Sequence, residues 1–300
     1  MRKLLFKIFK LLVIILSILP LRILYLLADI IYILLFYIIK YRKNIVFQNL
    51  KRSFPKKSNQ QITKIAKNFY RHFSDVIIEV IKMNNFSPQQ LGKRINFKNP
   101  EVFEEYYQKN KQCIAVAAHY GNWEWLTGLS MHTKHACMSV YKPLDNPYFD
   151  KFFLELRQKF NVTLIPMRKT LHTMLKLTKE NKLAISVFIS DQSPVSTEIQ
   201  HWVNFLNQDT PLYMGIEKIA KKLNIPVVFT KMKRVKRGYY EVEIIKVSDD
   251  PSKTSKFEIT EKHTHILEEM ILEDPSSWLW THRKWKYTKH DVLKKKYVKK

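Results

Sequence analysis

The chain has 300 residues, 46% of them hydrophobic, enough for one large domain or two small ones with a full core. Its 52 Lys and Arg against 26 Asp and Glu give a formal net charge of +26, which calls for an anionic partner: nucleic acid, an anionic membrane surface, a phosphorylated substrate or an acidic protein. The five glycines fit neither GxGxxG nor GxxxxGK[ST], no HExxH occurs, and Cys113 and Cys137 form no CxxC, which excludes the nucleotide-loop and zinc-protease fingerprints and points to a reduced, cytosolic compartment.

Residues 11–39, LLVIILSILPLRILYLLADIIYILLFYII, are almost wholly apolar, and about 20 such residues suffice to cross a bilayer. Pro20, Arg22 and Asp29 interrupt the run, which is too long for a signal peptide and lacks its small-residue cleavage site. Basic residues flank it on both sides, so charge assigns no orientation. It is expected to attach the chain to a membrane, as one tilted span or as a Pro-broken helix pair in the cytoplasmic leaflet. A hydrophobic core pair in a soluble domain is the alternative. This divides the chain into an anchor, 1–43, and a domain, 44–300.

From Lys57 onward Ile62, Ile65, Ala66, Phe69, Phe73, Val76, Ile77, Val80 and Ile81 recur at helical spacing, giving an amphipathic helix with a basic outer face. Near-continuous apolar runs follow at 113–118, 136–141, 162–166, 183–190 and 225–230, with helical stretches at 148–160, 170–180 and 213–223. Strands of that kind are buried on both faces, so the expected fold is α/β, a mainly parallel mixed sheet flanked by helices. The alternating YYEVEIIKV at 239–247 reads as an antiparallel strand nearer the edge, and a lysine-rich tail begins at Lys294.

Ligands of such sheets bind at the carboxyl ends of strands. His119 follows the run at 113–118, and Asp191 and Gln192 follow that at 183–190. His119 and Glu124 would point about 140° apart on one continuous helix. A turn at Gly121, with Asn122 as cap of a following helix, would let both face one cleft. In YFDKFFLELRQKF, Arg157 sits on or beside the apolar stripe, where a guanidinium needs an acidic or oxyanionic partner unless it snorkels to solvent. His132, His135 and Cys137 lack a further ligand pair at zinc-like spacing and read as a polar turn; no metal site is assigned.

HYGNWE resembles the H-x4-[D/E] signature of the glycerolipid-type acyltransferases, in particular the branch of the late, secondary lipid A acyltransferases and the phosphatidylinositol-mannoside acyltransferases. The resemblance extends over nearly the whole chain: LPLRILYLLADIIYILLFYIIKYRKNIVFQNLKRSFP, AHYGNWEW, YKPLDNPYFDKFFLELRQKF, ISDQS, NFLNQDTPLYMGIEKIAKKLNIPVVF and WLWTHRKWK arrive in family order. It implies acyl transfer with His119 as general base on the acceptor hydroxyl and a carboxylate orienting the imidazole. The signature favours Glu124 for that carboxylate; in some relatives a later acid, here Asp191, takes the role. Arg157 would bind acceptor phosphate or hold the acidic residues, and Gln192, Asn122 and Trp123 are the further candidates for substrate contact. Two departures stand out: Phe205-Leu206-Asn207 replaces an aromatic-aromatic-Gly turn, and HRKWK replaces an HRRWK-like ending, whose Trp278, Trp280 and Trp285 are expected to pack a C-terminal helix and lie at the membrane interface.

The resemblance implies no bound cofactor. The acyl donor would be acyl carrier protein, an acidic partner suited to the charge, or acyl-CoA. The acceptor would be a hydroxyl of a lipid A precursor, an anionic lipid, at the 3-hydroxyl of an attached hydroxyacyl chain. The enzyme would sit at the inner (cytoplasmic) membrane of a Gram-negative-type cell with its site facing the cytoplasm. Another glycolipid, phospholipid or aminolipid acceptor is the alternative within the same chemistry, and a non-catalytic basic membrane scaffold is the alternative outside it. No nucleic-acid motif accompanies the charge.

Overall fold

The computed structural model describes residues 2–290 and 292, so the lysine-rich tail from Lys294 lies outside the described residues. Among the described residues nine strands are formed: β1 Ile95–Phe97, β2 Cys113–Ala117, β3 Ala136–Tyr141, β4 Val162–Pro166, β5 Ala184–Ile189, β6 His201–Phe205, β7 Gln208–Leu212, β8 Val227–Lys236 and β9 Tyr239–Ser248. Seven make one sheet in the order β1-β9-β8-β2-β5-β3-β4, and β6-β7 is a separate hairpin. Every pairing in the large sheet is parallel except β8–β9. The expected α/β sheet is thus present, and 239–248 pairs antiparallel with β8, one strand from the edge, with the edge strand β1 running in the same direction as β9.

The α-helices of the described residues are α1 Arg2–Ile18, α2 Leu21–Ile33, α3 Lys43–Ser53, α4 Asn59–Met83, α5 Pro88–Gly92, α6 Glu101–Gln108, α7 Pro147–Gln158, α8 Thr170–Lys179, α9 Gly215–Leu223 and α10 Glu258–Glu273. The sheet separates two cores. Along β2, Cys113, Ala115 and Ala117 enter one core while Ile114 and Val116 enter the other. That is why the strand reads as a continuous apolar run rather than an alternating one. Both cysteines are free and buried.

The N-terminal segment folds as a Pro-broken pair. Pro20, at ψ 143°, ends the helical path between α1 and α2. The carbonyls of Ser17 and Leu19 at the end of α1 accept from Lys82 Nζ at 2.7 and 2.9 Å. Val13, Leu21, Leu24 and Ala28 share a core with sheet residues, and Tyr32 and Phe36 join the second core. The opposite stripe, including Leu5, Ile8, Leu12, Ile15, Leu26 and Ile30, is exposed. Leu21–Ile38 is long and apolar enough to cross a membrane, with 28% of it buried against the rest of the protein.

Candidate active site

β2 and β5 are neighbours in the middle of the sheet, with Ala117 opposite Ile189. Two residues further along each chain stand His119 and Asp191, so parallel register alone brings them together at the carboxyl edge. His119 Nδ1 lies 2.7 Å from Asp191 Oδ1. Asp191 Oδ2 accepts the backbone N–H of His119 at 3.1 Å and the indole N–H of Trp278 at 2.8 Å. Lys284 Nζ donates to the Asp191 carbonyl at 2.7 Å.

The Asp191 side chain is 3% exposed. Burial pushes its carboxyl upward, but the His119 ring, the Lys284 ammonium and the Trp278 indole outweigh that and hold it at about 2. An ionised Asp191 accepts the Nδ1 proton of His119, which leaves the Nε2 lone pair as the basic site. Nε2 lies 3.3 Å from the side-chain amide of the exposed Gln192. The Trp123 ring meets the imidazole edge-on with centroids 5.1 Å apart. His119, Asp191, Gln192 and Trp123 therefore form one cluster.

Glu124 is directed elsewhere. Gly121 turns the chain at φ +60°, and a Cβ there would meet Met232 Sδ at 2.6 Å, so both conformation and space require glycine. The turn sends the following residues inward. Arg157, from α7, takes both carboxylate oxygens of Glu124 in a fork, Nε to Oε2 at 2.9 Å and Nη2 to Oε1 at 2.8 Å. Of the two carboxylates the sequence left open for His119, Asp191 is the one on the imidazole; Glu124, which the signature favours, is the buried partner of Arg157. The Glu124 charge outweighs burial and raises the guanidinium further.

Asn122 is corrected as well. It has no exposed surface, and its Nδ2 donates to Glu79 Oε2 at 2.8 Å. It makes no side-chain cap to the 3-10 segment Trp123–Met131. Glu79 also accepts from Tyr25 of α2 at 2.9 Å and Tyr240 of β9 at 2.8 Å. His72 Nε2 stands 3.2 Å from the Gly121 carbonyl. The turn under His119 is thus fixed by buried polar groups on α4.

Two site residues escaped sequence reasoning, Trp278 and Lys284. The segment after α10 runs beside the His119 loop, with Leu279 N–H donating to the His119 carbonyl at 3.0 Å and Gly121 N–H to that of Ser277 at 2.9 Å. Trp278 and Trp280 are buried in the core rather than at a membrane interface, and Trp285 donates to Thr210 Oγ1 at 2.7 Å. Lys284 is buried, which pushes its ammonium down to about 8 against the opposing pull of Asp191. The signal was present in WLWTHRKWK, but a Trp- and Lys-rich string has the same composition at a lipid surface as around a buried carboxylate. The Phe205-Leu206-Asn207 departure makes a two-residue hairpin turn, with Leu206 and Asn207 both left-handed (φ +52° and +61°), as type I′ geometry requires.

The sequence profile of the bacterial lipid A biosynthesis acyltransferases matches residues 2–287. The chain belongs to that family. No individual curated protein matches it.

Proposed function

We propose that this acyltransferase moves a fatty acyl chain from a thioester donor, acyl carrier protein or acyl-CoA, to a hydroxyl of a lipid A precursor, with His119 as general base and Asp191 as its orienting carboxylate. The observation that carries the reading is the His119–Asp191 pair, 2.7 Å apart at the carboxyl edge, with Nε2 as the basic site. The acceptor O–H gives its proton to Nε2 as the oxygen attacks the thioester carbonyl. The tetrahedral intermediate then expels the thiolate, which recovers the proton from the imidazolium. Asp191 fixes the tautomer and stabilises the imidazolium.

Gln192, beside Nε2, is assigned to the incoming hydroxyl, and Trp123 to the wall against which the acyl chain packs. Arg157 commits two of its five N–H donors to Glu124, and the others suit a phosphate of the acceptor. The exposed apolar stripe of α1 and α2 and the net charge of +26 support attachment to an anionic inner-membrane surface with the site on the cytoplasmic side, where the acidic carrier is found.

The test compares lipid extracts, by mass spectrometry, from a deletion strain carrying wild type or His119→Ala. Loss of one acyl chain from lipid A that only wild type restores supports the reading. Loss from another lipid replaces the acceptor, and full restoration by His119→Ala refutes the catalytic assignment.

A further inference from the structure

β5, β3 and β4 lie in that order beside β2 and are parallel to it, so the loops leaving their carboxyl ends form the rim of the same edge that holds His119. Each loop holds a large apolar side chain in solvent: Val195 after β5 (49% exposed), Leu144 after β3 (47%) and Met167 after β4 (44%). Leu171, at the start of α8, is exposed beside Met167. Bare apolar side chains gathered at one edge mark a contact surface. Lys142, Arg168 and Lys169 stand exposed among them, and Asp145 is the one acid within 142–145 and 167–172.

The rim continues into the N-terminal stripe. Phe6 of α1 stacks on Tyr148 at 5.3 Å and Phe9 packs on Phe149 at 4.9 Å, at the head of α7 and a few residues past Leu144. Leu4, Leu5 and Ile8, the exposed side of the same turns of α1, therefore adjoin the rim.

We infer that the mouth of the site is a second membrane contact, in which Leu144, Met167, Leu171 and Val195 enter the surface of an anionic bilayer while Lys142, Arg168 and Lys169 meet its headgroups. Interleaved apolar and basic side chains are the pattern of interfacial binding, the apolar groups entering the headgroup–acyl boundary and the bases meeting anionic headgroups. The inference deepens the proposed function: an acceptor lipid would reach His119 from the leaflet without its acyl chains crossing water.

The test places single cysteines at Leu144→Cys and Val195→Cys in the full-length protein and labels them with the environment-sensitive fluorophore NBD. Cys113 and Cys137 are buried, so the label goes to the new site. Lys182→Cys, exposed in the turn entering β5 at the opposite edge of the sheet, is the control. On phosphatidylcholine vesicles containing phosphatidylglycerol, the probes at 144 and 195 are expected to brighten and shift to the blue while the control does not. Lys142→Gln, Arg168→Gln and Lys169→Gln together should weaken partition onto these vesicles roughly a hundredfold at low salt, about fivefold for each basic residue.

Failure of the protein to bind vesicles overturns the proposal. So does co-sedimentation with both rim probes still in an aqueous environment, which would leave the N-terminal helices as the lipid contact. Probes that respond to soluble acyl carrier protein and not to vesicles would assign the rim to the donor instead. No arm needs turnover, so failure here leaves the transferase reading to the lipid extracts.

Discussion

Asp191→Asn separates the two carboxylates sharply, because the donors around Asp191 dictate how an amide must sit. Oδ2 receives two N–H groups, from the His119 backbone and the Trp278 indole, and Oδ1 receives one, from His119 Nδ1. An asparagine whose NH2 faced the Oδ2 position would oppose two fixed donors and lose both bonds. The other orientation keeps both and turns the NH2 toward Nδ1, so it prevails. Nδ1 must then accept, the ring proton moves to Nε2, and the lone pair that takes the acceptor proton is gone. Triads with the same wrong-tautomer substitution lose about 10⁴-fold in kcat, equivalent to roughly 5 kcal/mol of barrier. The fold should survive, since two of the three side-chain bonds are unchanged and the third only reverses its direction. The assay is initial-rate acyl transfer from acyl carrier protein to a lipid A precursor, beside thermal unfolding of the same preparations. Glu124→Gln, whose carboxylate touches Arg157 rather than the imidazole, should lose far less in kcat. If Asp191→Asn stays within tenfold of wild type while Glu124→Gln loses 10⁴-fold, the pairing argued here is wrong.

Arg157→Ala leaves the Glu124 carboxylate buried without a cation, a loss on the order of 3–5 kcal/mol, and Arg157→Lys recovers only part of it because an ammonium cannot reproduce the fork; urea unfolding measures both. Asp191 sits at about 2 against an ordinary 3.8, so its contribution is complete above the unfolded value and vanishes as pH falls through about 2. The stability advantage of wild type over Asp191→Asn should therefore shrink by about 2 kcal/mol between pH 7 and pH 2. Lys284 is shifted the opposite way for a cation, from 10.5 to about 8, so between those values the unfolded chain keeps a proton the folded one has lost. Stability from this group should rise, by on the order of 2 kcal/mol from pH 7 to pH 10, and the rise should be absent from Lys284→Met.

The sheet was legible because strands buried on both faces are apolar at nearly every position, as CIAVA is throughout and AISVFI is but for Ser186. The positions of His119 and Asp191 were legible for the same reason, each being the polar punctuation at the end of such a run. Their pairing was not. It depends on strand order, and β2 lies between β5 and β8 rather than beside its sequence neighbour β3. The family signature pointed to Glu124, but the five residues of separation include a left-handed glycine, and beyond that turn Glu124 is held by Arg157. Asn122 carries the capping chemistry expected of it, yet burial gave its amide to Glu79. Lys284 was hidden because no pattern marks a lysine whose hydrogen-bond acceptor is a main-chain carbonyl 93 residues away.

The polar residues that break the N-terminal apolar run have a structural use that bears on how the protein meets a bilayer. Asp29 accepts from Arg237 at 2.7 Å, and the same guanidinium reaches Asp75 of α4 at 2.6 Å and the Tyr25 carbonyl at 3.2 Å. One turn along α4, Glu79 takes the Tyr25 hydroxyl; in the other direction Arg71 lies over the Tyr32 ring at 4.9 Å, and Phe36 meets Tyr70 at 5.4 Å. α2 is therefore fastened to α4 along its length, with charged groups of α4 and β8–β9 beside it throughout. Moving it across a bilayer would either drag those charges into hydrocarbon or unfasten all of these contacts together. A helix held in this way offers lipid only its outer stripe, and the in-plane arrangement this favours is the one the rim contact requires. The fastening also reaches the proposed chemistry, for the Glu79 carboxylate that holds Tyr25 holds Asn122, three residues from His119, so the helix proposed to meet the membrane and the turn that aims the proposed base rest on one buried acid.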